Sequence, residues 1–202
     1  MSNYGTKMMD IPVPLTPIER FNVVSIKGTP EIDIDKYELR IEGLVGKPLI
    51  LKCSDLLSYP AKTKIIILRC VEGWSGVGEW TGTLLRDILN EAKIMRNART
   101  VVFYSADGYS TSLSIKDLNE NVLLSYRLNG ETLPKEHGYP LRLVVEGKYG
   151  YKWIKWVTLI RIIRGRYRGY WERQGYSNNA DINRPGKTKL YKLKRIYGKT
   201  KG

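Results

Sequence analysis

The sequence feature that most constrains the fold is an apolar run at residues 65–68, which leads to Cys70 and is followed by three glycines. A run of this kind predicts a buried strand. The glycines, Gly73, Gly76 and Gly78, predict a loop whose backbone approaches a ligand closely. Because a rigid strand would hold Cys70 at the edge of that loop, the thiol occupies a position where binding and catalytic residues are commonly found.

The rest of the chain predicts an α+β fold that is mostly β, because short strand patterns outnumber helical ones. One helix is expected over residues 84–92, after Thr81 or Thr83 as N-cap, and a shorter one begins at Ser54 as N-cap and stops before Pro60. A helical turn is expected at 115–119, and residues 49–51 are expected to complete a hairpin with the strand before them. Further strands are predicted at 37–42, 49–51, 100–105, 109–113, 122–128, 141–145 and 156–163.

Composition limits the classes of protein to which the chain can belong. Its 202 residues and 42% apolar composition are expected to form one domain, and no run approaches the roughly 18 apolar residues of a membrane span. Two cysteines are too few for a disulfide framework, although a Cys53–Cys70 bridge is an alternative, and a single histidine argues against a zinc site of clustered histidines and cysteines. The start of the sequence has no apolar leader and no twin arginine, which predicts a cytoplasmic location.

The formal net charge of +14 is distributed unevenly. Residues 184–202 carry eight lysines and arginines and no acid, so the rest of the chain is only mildly basic. Such a tail is typical of a solvated end, with docking to an acidic partner, a membrane surface or nucleic acid as the alternative. We therefore divide the chain into an extended, proline-containing segment at 1–20, a domain at 21–183 and a basic tail at 184–202.

Several roles for Cys70 are consistent with its position. A buried structural cysteine is the simplest, and a papain-type nucleophile would need His137 as its base. A redox dithiol would need a second cysteine close in sequence, which the chain lacks. Arg69 precedes the thiol and is expected to favour its thiolate form, while Trp74 and Trp80 are expected to wall the loop.

Two sequence blocks resemble one known family. The first reads CVEGWS at residues 70–75 and continues with WTG at 80–82, and the second reads HGYPLRLVV at 137–145 and KYGYKWIKW at 148–156. In this order they resemble the molybdenum-binding and pterin-binding segments of the sulfite oxidase superfamily. The CVEGWS form is most similar to the branch that contains the catalytic subunit of bacterial protein-methionine-sulfoxide reductase. The resemblance implies a sulfite-oxidase-type molybdopterin-binding fold, with mixed sheets and a few short helices.

The resemblance also implies a molybdenum ion bound by molybdopterin and by the Cys70 thiolate, with tungsten as a substitute. A thiolate suits a metal that already has dithiolene sulfur ligands, and coordination deprotonates it. Arg142 and Lys155 would bind the phosphate or the pterin, and the alternative is that both are solvent-exposed strand charges. Trp153 and Ile154 would make main-chain contacts. The full set implied to contact the cofactor is Asn22, Ser25, Cys70, Ser105, His137, Arg142, Trp153, Ile154 and Lys155.

For activity, the resemblance implies oxygen-atom transfer between water and a sulfoxide, sulfite or a similar S- or N-oxide. Animal and plant sulfite oxidases follow their cysteine with Gly-Asn-Arg-Arg, whereas this chain has VEGW at 71–74, so an arginine-lined anion pocket is not expected there. Glu72 is expected to act in catalysis as a proton relay, with capping of the loop or pairing with Arg69 as the alternative. Electrons are expected to pass through a separate electron-transfer protein or membrane subunit.

A cofactor-free basic binding module is the alternative from another class. Tyr167, Tyr170, Trp171 and Tyr176 alternate with arginines, a pattern that fits stacking on single-stranded nucleic acid. The same pattern fits aromatic side chains that pack onto their own domain, which is the interpretation we favour. The enzyme interpretation is therefore preferred.

Overall fold

The computed structural model describes residues 13–183, so the predicted tail at 184–202 and residues 1–12 of the predicted N-terminal segment lie outside the described residues. Within this range, two β-sheets and three short α-helices form, which confirms the predicted fold class. The strands are β1 (Leu39–Gly43), β2 (Leu49–Leu51), β3 (Ala61–Arg69), β4 (Ser75–Leu84), β5 (Thr100–Ser105), β6 (Ser110–Ser114), β7 (Val122–Leu128), β8 (Glu131–Thr132), β9 (Arg142–Val145) and β10 (Val157–Ile163). The helices are α1 (Cys53–Ser58), α2 (Leu85–Ala92) and α3 (Tyr170–Arg173).

The first sheet has the order β2-β1-β10-β5-β6 and joins strands from both ends of the domain. β1 pairs with β10 in parallel, whereas the other pairs are antiparallel, and the β1–β2 pair is the predicted hairpin. Leu39 and Ile41 of β1 are buried and alternate with an exposed residue, so one face of the strand packs on the core. The sheet fixes the position of Ser105 at the end of β5.

The second sheet is antiparallel throughout, with the order β3-β4-β7-β8 and with β9 also paired to β7. β3 ends one residue before Cys70. β9 begins with Arg142, which lies opposite Ser125 of β7. Two residues that the sequence assigns to the site are therefore held by strands of one sheet.

The predicted glycine loop is shorter than expected, because residues 75–84 form β4. Only residues 70–74 connect β3 to β4. Gly76 lies within the strand, where an added Cβ would come within 2.5 Å of the Phe21 ring. Glycine inside a strand commonly marks such a close approach. Trp80 is fully buried in β4, so the prediction that it walls the loop is wrong.

Both predicted helices form, but with different N-caps. α1 has Lys52 rather than Ser54 at its N-cap. α2 begins at Leu85 without a side-chain cap, because the Thr83 hydroxyl donates instead to the Leu56 carbonyl oxygen. The leucine, isoleucine and alanine side chains at the predicted helical spacing of α2 are buried, which confirms its amphipathic pattern.

The other predicted strands form with boundary differences of at most two residues, except that the strand at 65–68 begins earlier, at Ala61. The prediction that this strand is buried is wrong, because β3 is an edge strand in which Ile66 and Leu68 are buried while Ile65 and Ile67 are exposed. Cys53 and Cys70 are both free thiols. In the part of the chain that the structure describes, no helix has the length and apolar character needed to cross a membrane. The cytoplasmic location and the domain boundaries remain predictions.

Candidate functional site

One cavity of about 910 Å³, including its open mouth, lies where the two sequence blocks meet. All ten residues that the sequence assigns to the site border this cavity, although they come from five separate parts of the chain. They are Asn22, Ser25, Cys70, Glu72, Ser105, His137, Arg142, Trp153, Ile154 and Lys155.

The cavity has two ends of different chemical character. We call the neighbouring residues Cys70, Glu72, Trp74, Trp171 and Tyr176 the cysteine end, and the neighbouring residues His137, Arg142 and Lys155 the cationic end.

A tight turn after β3 presents Cys70 and Glu72 together. The Cys70 N–H donates to the Trp74 carbonyl oxygen at 2.9 Å, and the Gly73 N–H donates to the Cys70 carbonyl oxygen at 3.2 Å. Gly73 has a φ of +96°, a left-handed conformation that favours glycine. The Glu72 N–H donates to Cys70 Sγ at 3.5 Å, and the Cys70 thiol donates to Glu72 Oε2 at 3.9 Å. One donor and one acceptor of the same residue therefore reach the sulfur.

Burial raises the pKa of the Cys70 thiol, and the Glu72 carboxylate adds to the rise, while the N–H groups of Glu72 and Val71 oppose it. Arg69 is exposed and is not among the groups that act on the thiol, so the prediction that Arg69 favours the thiolate is wrong. No ion pair joins Arg69 to Glu72 within residues 13–183. The free cysteine is therefore a protonated thiol, which metal coordination would deprotonate.

The cationic end is assembled from β9 and the segments on either side of it. Arg142 is buried, and its Nη1 donates to the His137 carbonyl oxygen at 3.0 Å, while its guanidinium lies 5.2 Å from the Trp80 ring centre. Its Nε has no hydrogen-bond partner among the described residues. Lys155 Nζ donates to the Glu136 carbonyl oxygen at 2.7 Å. Across residues 13–183, no carboxylate forms an ion pair with Arg142 or Lys155.

Burial lowers the pKa values of all three basic groups at this end, and repulsion by neighbouring cations adds to the effect at His137 and Lys155. Burial lowers the pKa of Arg142 to about 10, and burial together with the Arg142 charge lowers the pKa of Lys155 to about 7. Burial, followed by Arg142 and Lys155, lowers the pKa of His137 to about 4, so its imidazole is neutral at neutral pH. An anion in the cavity would relieve this repulsion and stabilise the charged forms.

The groups present fit a phosphate-bearing cofactor that brings its own metal ligands. A buried guanidinium with an unpartnered Nε, next to a lysine without a carboxylate, offers a phosphate several charge-assisted hydrogen bonds. At the other end, Cys70 offers one soft ligand. Within the described range, no group of three or more His, Cys, Asp and Glu residues is arranged to hold a metal ion. A metal at Cys70 would therefore need further ligands from the cofactor, as a dithiolene supplies.

The remaining predicted residues border the cavity through neutral groups. Ser105 ends β5 and is 8% exposed, while Asn22 and Ser25 lie in the segment before β1. The Trp153 N–H and the Ile154 carbonyl oxygen are bonded within the protein. Main-chain contacts to a cofactor would therefore come from the Trp153 carbonyl oxygen and the Ile154 N–H.

Several residues that border the cavity were not predicted as site residues from the sequence. They are Asp107, Tyr109, Tyr151, Trp171 and Tyr176. Asp107 was open to prediction, because it lies in a turn directly after a predicted strand that already carried a site residue. Trp171 and Tyr176, from the segment after β10, had no such signal, because no sequence spacing relates them to Cys70, which lies far earlier in the chain.

Five aromatic side chains, here called the aromatic wall, pack against one another along one side of the cavity. Their ring centroids are 5.9 Å apart for Tyr109 and Tyr170, 5.2 Å for Tyr170 and Trp171, 5.2 Å for Trp171 and Tyr176, and 5.3 Å for Tyr151 and Tyr176. Of the four aromatics that the sequence analysis considered, Tyr170, Trp171 and Tyr176 belong to this wall and Tyr167 packs against Tyr104 with ring centroids 6.1 Å apart, so the interpretation that they pack onto the domain is confirmed. Rings engaged in this way are not free to stack on nucleic-acid bases, so the binding-module alternative loses its main support.

Comparison with known proteins gives a consistent set of similarities. The sequence model of the family described as oxidoreductase molybdopterin binding domain matches residues 26–171. The uncharacterized oxidoreductase YuiH of Bacillus subtilis is 36% identical over 151 residues, which cover 74% of this chain and 76% of that protein. The protein-methionine-sulfoxide reductase catalytic subunit MsrP of Gluconobacter oxydans is 36% identical over 169 residues, which cover 73% of this chain and 54% of that protein.

Among solved structures, the sulfane dehydrogenase SoxCD from Paracoccus pantotrophus matches with a TM-score of 0.66 and 29% sequence identity. The match covers 75% of this chain and 46% of that chain, so this chain spans about half the length of two of these three proteins. The shared architecture confirms the predicted sulfite-oxidase-type fold.

Proposed function

We propose that this protein exchanges an oxygen atom between water and an oxidised sulfur compound at a Cys70-ligated molybdenum. The chain belongs to the oxidoreductase molybdopterin binding domain family, within the sulfite oxidase superfamily, and is a molybdenum-dependent oxidoreductase. The observation that carries this proposal is the convergence of ten residues, chosen from sequence alone, on one cavity with a thiol at one end and unpaired cations at the other. The proposed catalytic unit spans residues 21–183.

In this proposal the cationic end binds the phosphate of molybdopterin. Arg142 and Lys155 donate charge-assisted hydrogen bonds to the phosphate oxygens, and His137 and Ser105 contact the pterin through neutral polar groups. Trp153 and Ile154 orient the pterin through their main chain, and Asn22 and Ser25 contact it from the segment before β1. The burial of His137 and Arg142 supports the assignment, because hydrogen bonds to an anion are stronger where water is excluded.

At the cysteine end, Cys70 is the protein ligand of the metal, and Glu72 is its acid–base neighbour. When bound, the molybdenum centre supplies the two-electron exchange of an oxygen atom. The Glu72 carboxylate lies 3.9 Å from Cys70 Sγ, so it accepts the thiol proton when the sulfur becomes a ligand. During turnover the same carboxylate relays protons between solvent and the bound substrate.

The proposed substrate is a sulfoxide. Reduction of a sulfoxide breaks its S–O bond, consumes two electrons and two protons, and yields a thioether and water. A neutral sulfoxide avoids the repulsion that sulfite would meet at Glu72, and the aromatic wall offers polarisable contacts to the carbon groups on sulfur. The relative named as a protein-methionine-sulfoxide reductase catalytic subunit supports this choice. The electrons come from a separate electron-transfer protein or membrane subunit.

The proposal is tested by producing the protein in a host that synthesises molybdopterin. Elemental analysis for molybdenum and tungsten, with pterin fluorescence after oxidation, is expected to find about one metal and one pterin per chain. Folded protein that contains neither would contradict the proposal. Activity with methionine sulfoxide, sulfite and an N-oxide, measured with an artificial electron carrier, then tests the substrate, and a preference for sulfite would contradict the sulfoxide assignment.

A further inference from the structure

Lys152 and Glu172 form an ion pair in which both side chains are 0% exposed. Lys152 Nζ donates to Glu172 Oε1 and, at 2.8 Å, to the Ser112 carbonyl oxygen. The Thr111 hydroxyl donates to the same carboxylate oxygen at 2.7 Å, whereas Glu172 Oε2 has no partner among the described residues. Replacing a buried ion pair by apolar side chains often leaves stability unchanged or increases it, so stability alone does not account for this pair.

The pair connects the two parts of the cavity wall. Lys152 directly precedes residues 153–155, which border the cavity beside the cationic end. Glu172 lies in α3 next to Trp171, and the Tyr176 N–H donates to the Trp171 carbonyl oxygen at 3.1 Å. The ion pair therefore connects the proposed cofactor-binding residues 153–155 to Trp171 and Tyr176 of the cysteine end.

The segment at residues 164–183 is held to the rest of the domain by several neutral hydrogen bonds and by one charged contact. The neutral bonds include Tyr149 N–H to the Ala180 carbonyl oxygen at 2.9 Å and Ile182 N–H to the Gly147 carbonyl oxygen at 3.0 Å. α3, with four residues, is its one helix, and a helix of that length has little stability of its own. In residues 13–183, the Lys152–Glu172 contact is the one ion pair between this segment and the rest of the protein. Hydrogen bonds such as Tyr151 hydroxyl to the Ser177 carbonyl oxygen, at 2.7 Å, add neutral contacts.

The carboxylate also lies close to the aromatic wall. Burial raises the pKa values of Tyr109 and Tyr151, and the Glu172 charge is the next cause in both cases. Tyr151 in turn packs against Tyr176, with ring centroids 5.3 Å apart. The Glu172 carboxylate therefore lies within electrostatic range of rings that belong to the aromatic wall.

We infer that Lys152 and Glu172 are positioning residues, whose buried ion pair holds Trp171 and Tyr176 in place beside Cys70 and Glu72 and thereby sets substrate affinity without contacting the cofactor. The kinetic part of this inference rests on the proposed function. Directional, fully buried charge pairs suit this role, because they specify one arrangement of the two segments where apolar packing tolerates several.

The test uses Glu172→Gln, which removes the charge with little change of shape. With methionine sulfoxide as substrate, the variant is expected to raise KM about tenfold, with kcat and molybdenum content within about twofold of the unchanged protein. Acrylamide quenching of Trp171 fluorescence, obtained as the difference between each protein and its Trp171→Phe derivative, is expected to increase. Arg173→Gln, at an exposed position of the same helix, is the matched control and is expected to change none of these values.

Unchanged Trp171 quenching in Glu172→Gln would overturn the positioning role, as would a loss of activity that follows a loss of molybdenum. If Glu172→Gln does not fold, the double variant Lys152→Met, Glu172→Met removes both charges and leaves an apolar pair. It is expected to show the same increases in KM and in quenching, and values equal to the unchanged protein would overturn the inference. Quenching does not require turnover, so absence of activity with every substrate contradicts the proposed function and leaves the positioning test intact.

Discussion

The cationic end and the cysteine end of the cavity are built in different ways. The cationic end is buried and comes from one stretch of chain, residues 137–155, with Arg142 on a strand and the other groups beside it. The cysteine end is more open and joins the turn after β3 to the segment after β10, which lie far apart in the chain. The cationic end offers cations that have no carboxylate partner among the described residues, whereas the cysteine end offers a thiol, a carboxylate and aromatic rings.

The difference indicates a division of labour within one cavity. A contiguous, strand-supported block suits the recognition of a large group that is the same in every turnover. An end assembled from distant segments can change its shape and charge without disturbing that block. In the proposed function, the cationic end holds the cofactor and the cysteine end selects the substrate, so variants at the two ends are expected to have separable effects.

The largest effect is expected at Cys70. Cys70→Ser replaces a soft sulfur ligand by a hydroxyl, and sulfoxide reduction is expected to fall by roughly a thousandfold or more, with loss of molybdenum. Cys53→Ser, at the other free cysteine, is the matched control and is expected to keep both activity and metal. Steady-state rates and metal analysis check the prediction. A Cys70→Ser protein with full metal content would rule out the ligand assignment.

Glu72→Gln is expected to have the next largest effect. The amide keeps the size of the side chain but cannot relay a proton, so kcat is expected to fall about a hundredfold while metal and pterin remain bound. Glu131→Gln, at an exposed position of β8, is the control. A change in kcat of less than about threefold would assign Glu72 to capping the turn and would break the proposed contrast between the two ends.

Arg142→Met is expected to act on cofactor content rather than on kcat per loaded site. Pterin content is expected to fall about tenfold, because the phosphate loses its buried guanidinium. The cofactor-free protein is expected to become more stable to urea, since a buried charge without a carboxylate partner is removed. Arg161→Met is the control, because Arg161 is exposed and pairs with Glu42. Normal pterin content in Arg142→Met would contradict a phosphate-binding role.

The smallest effect is expected from pH on the cofactor-free protein. The pKa of His137 falls from 6.5 to about 4 on folding, so the unfolded chain binds more protons between these values. Stability is therefore present above pH 6.5 and is lost as the pH falls towards 4, by about 2 kcal/mol between neutral pH and pH 5. Urea unfolding at several pH values measures this loss, and His137→Gln is expected to reduce it. An identical pH profile in the variant would show that other groups cause the loss.

The cationic end could be predicted because its residues lie in one block, residues 137–156, that resembles the pterin-binding segment of the family. Residues 100–105 and 122–128 were likewise predicted with their observed bounds, since their apolar patterns are those of buried strands. β4 was misread in part, because glycine, which usually indicates a loop, serves there to admit the Phe21 ring.

The cysteine end was predicted only in part. Cys70 and Glu72 were found, because a strand followed by glycine marks a functional loop. Trp171 and Tyr176 approach them through tertiary packing and a buried ion pair, neither of which leaves a periodic signal in the sequence. Pairings between segments so far apart in the chain follow from the fold and are not encoded locally.

The two ends also differ in the direction in which they exchange protons with solvent. A metal that binds Cys70 releases the thiol proton, because the ligand is the thiolate. A phosphate that enters the cationic end restores the pKa of Lys155 from about 7 towards its ordinary value, so the ammonium group takes a proton up. These exchanges oppose each other near neutral pH. The proton taken up at the cationic end offsets part of the proton released at the cysteine end, so the affinity for the whole cofactor depends less steeply on pH than binding at the cysteine end alone.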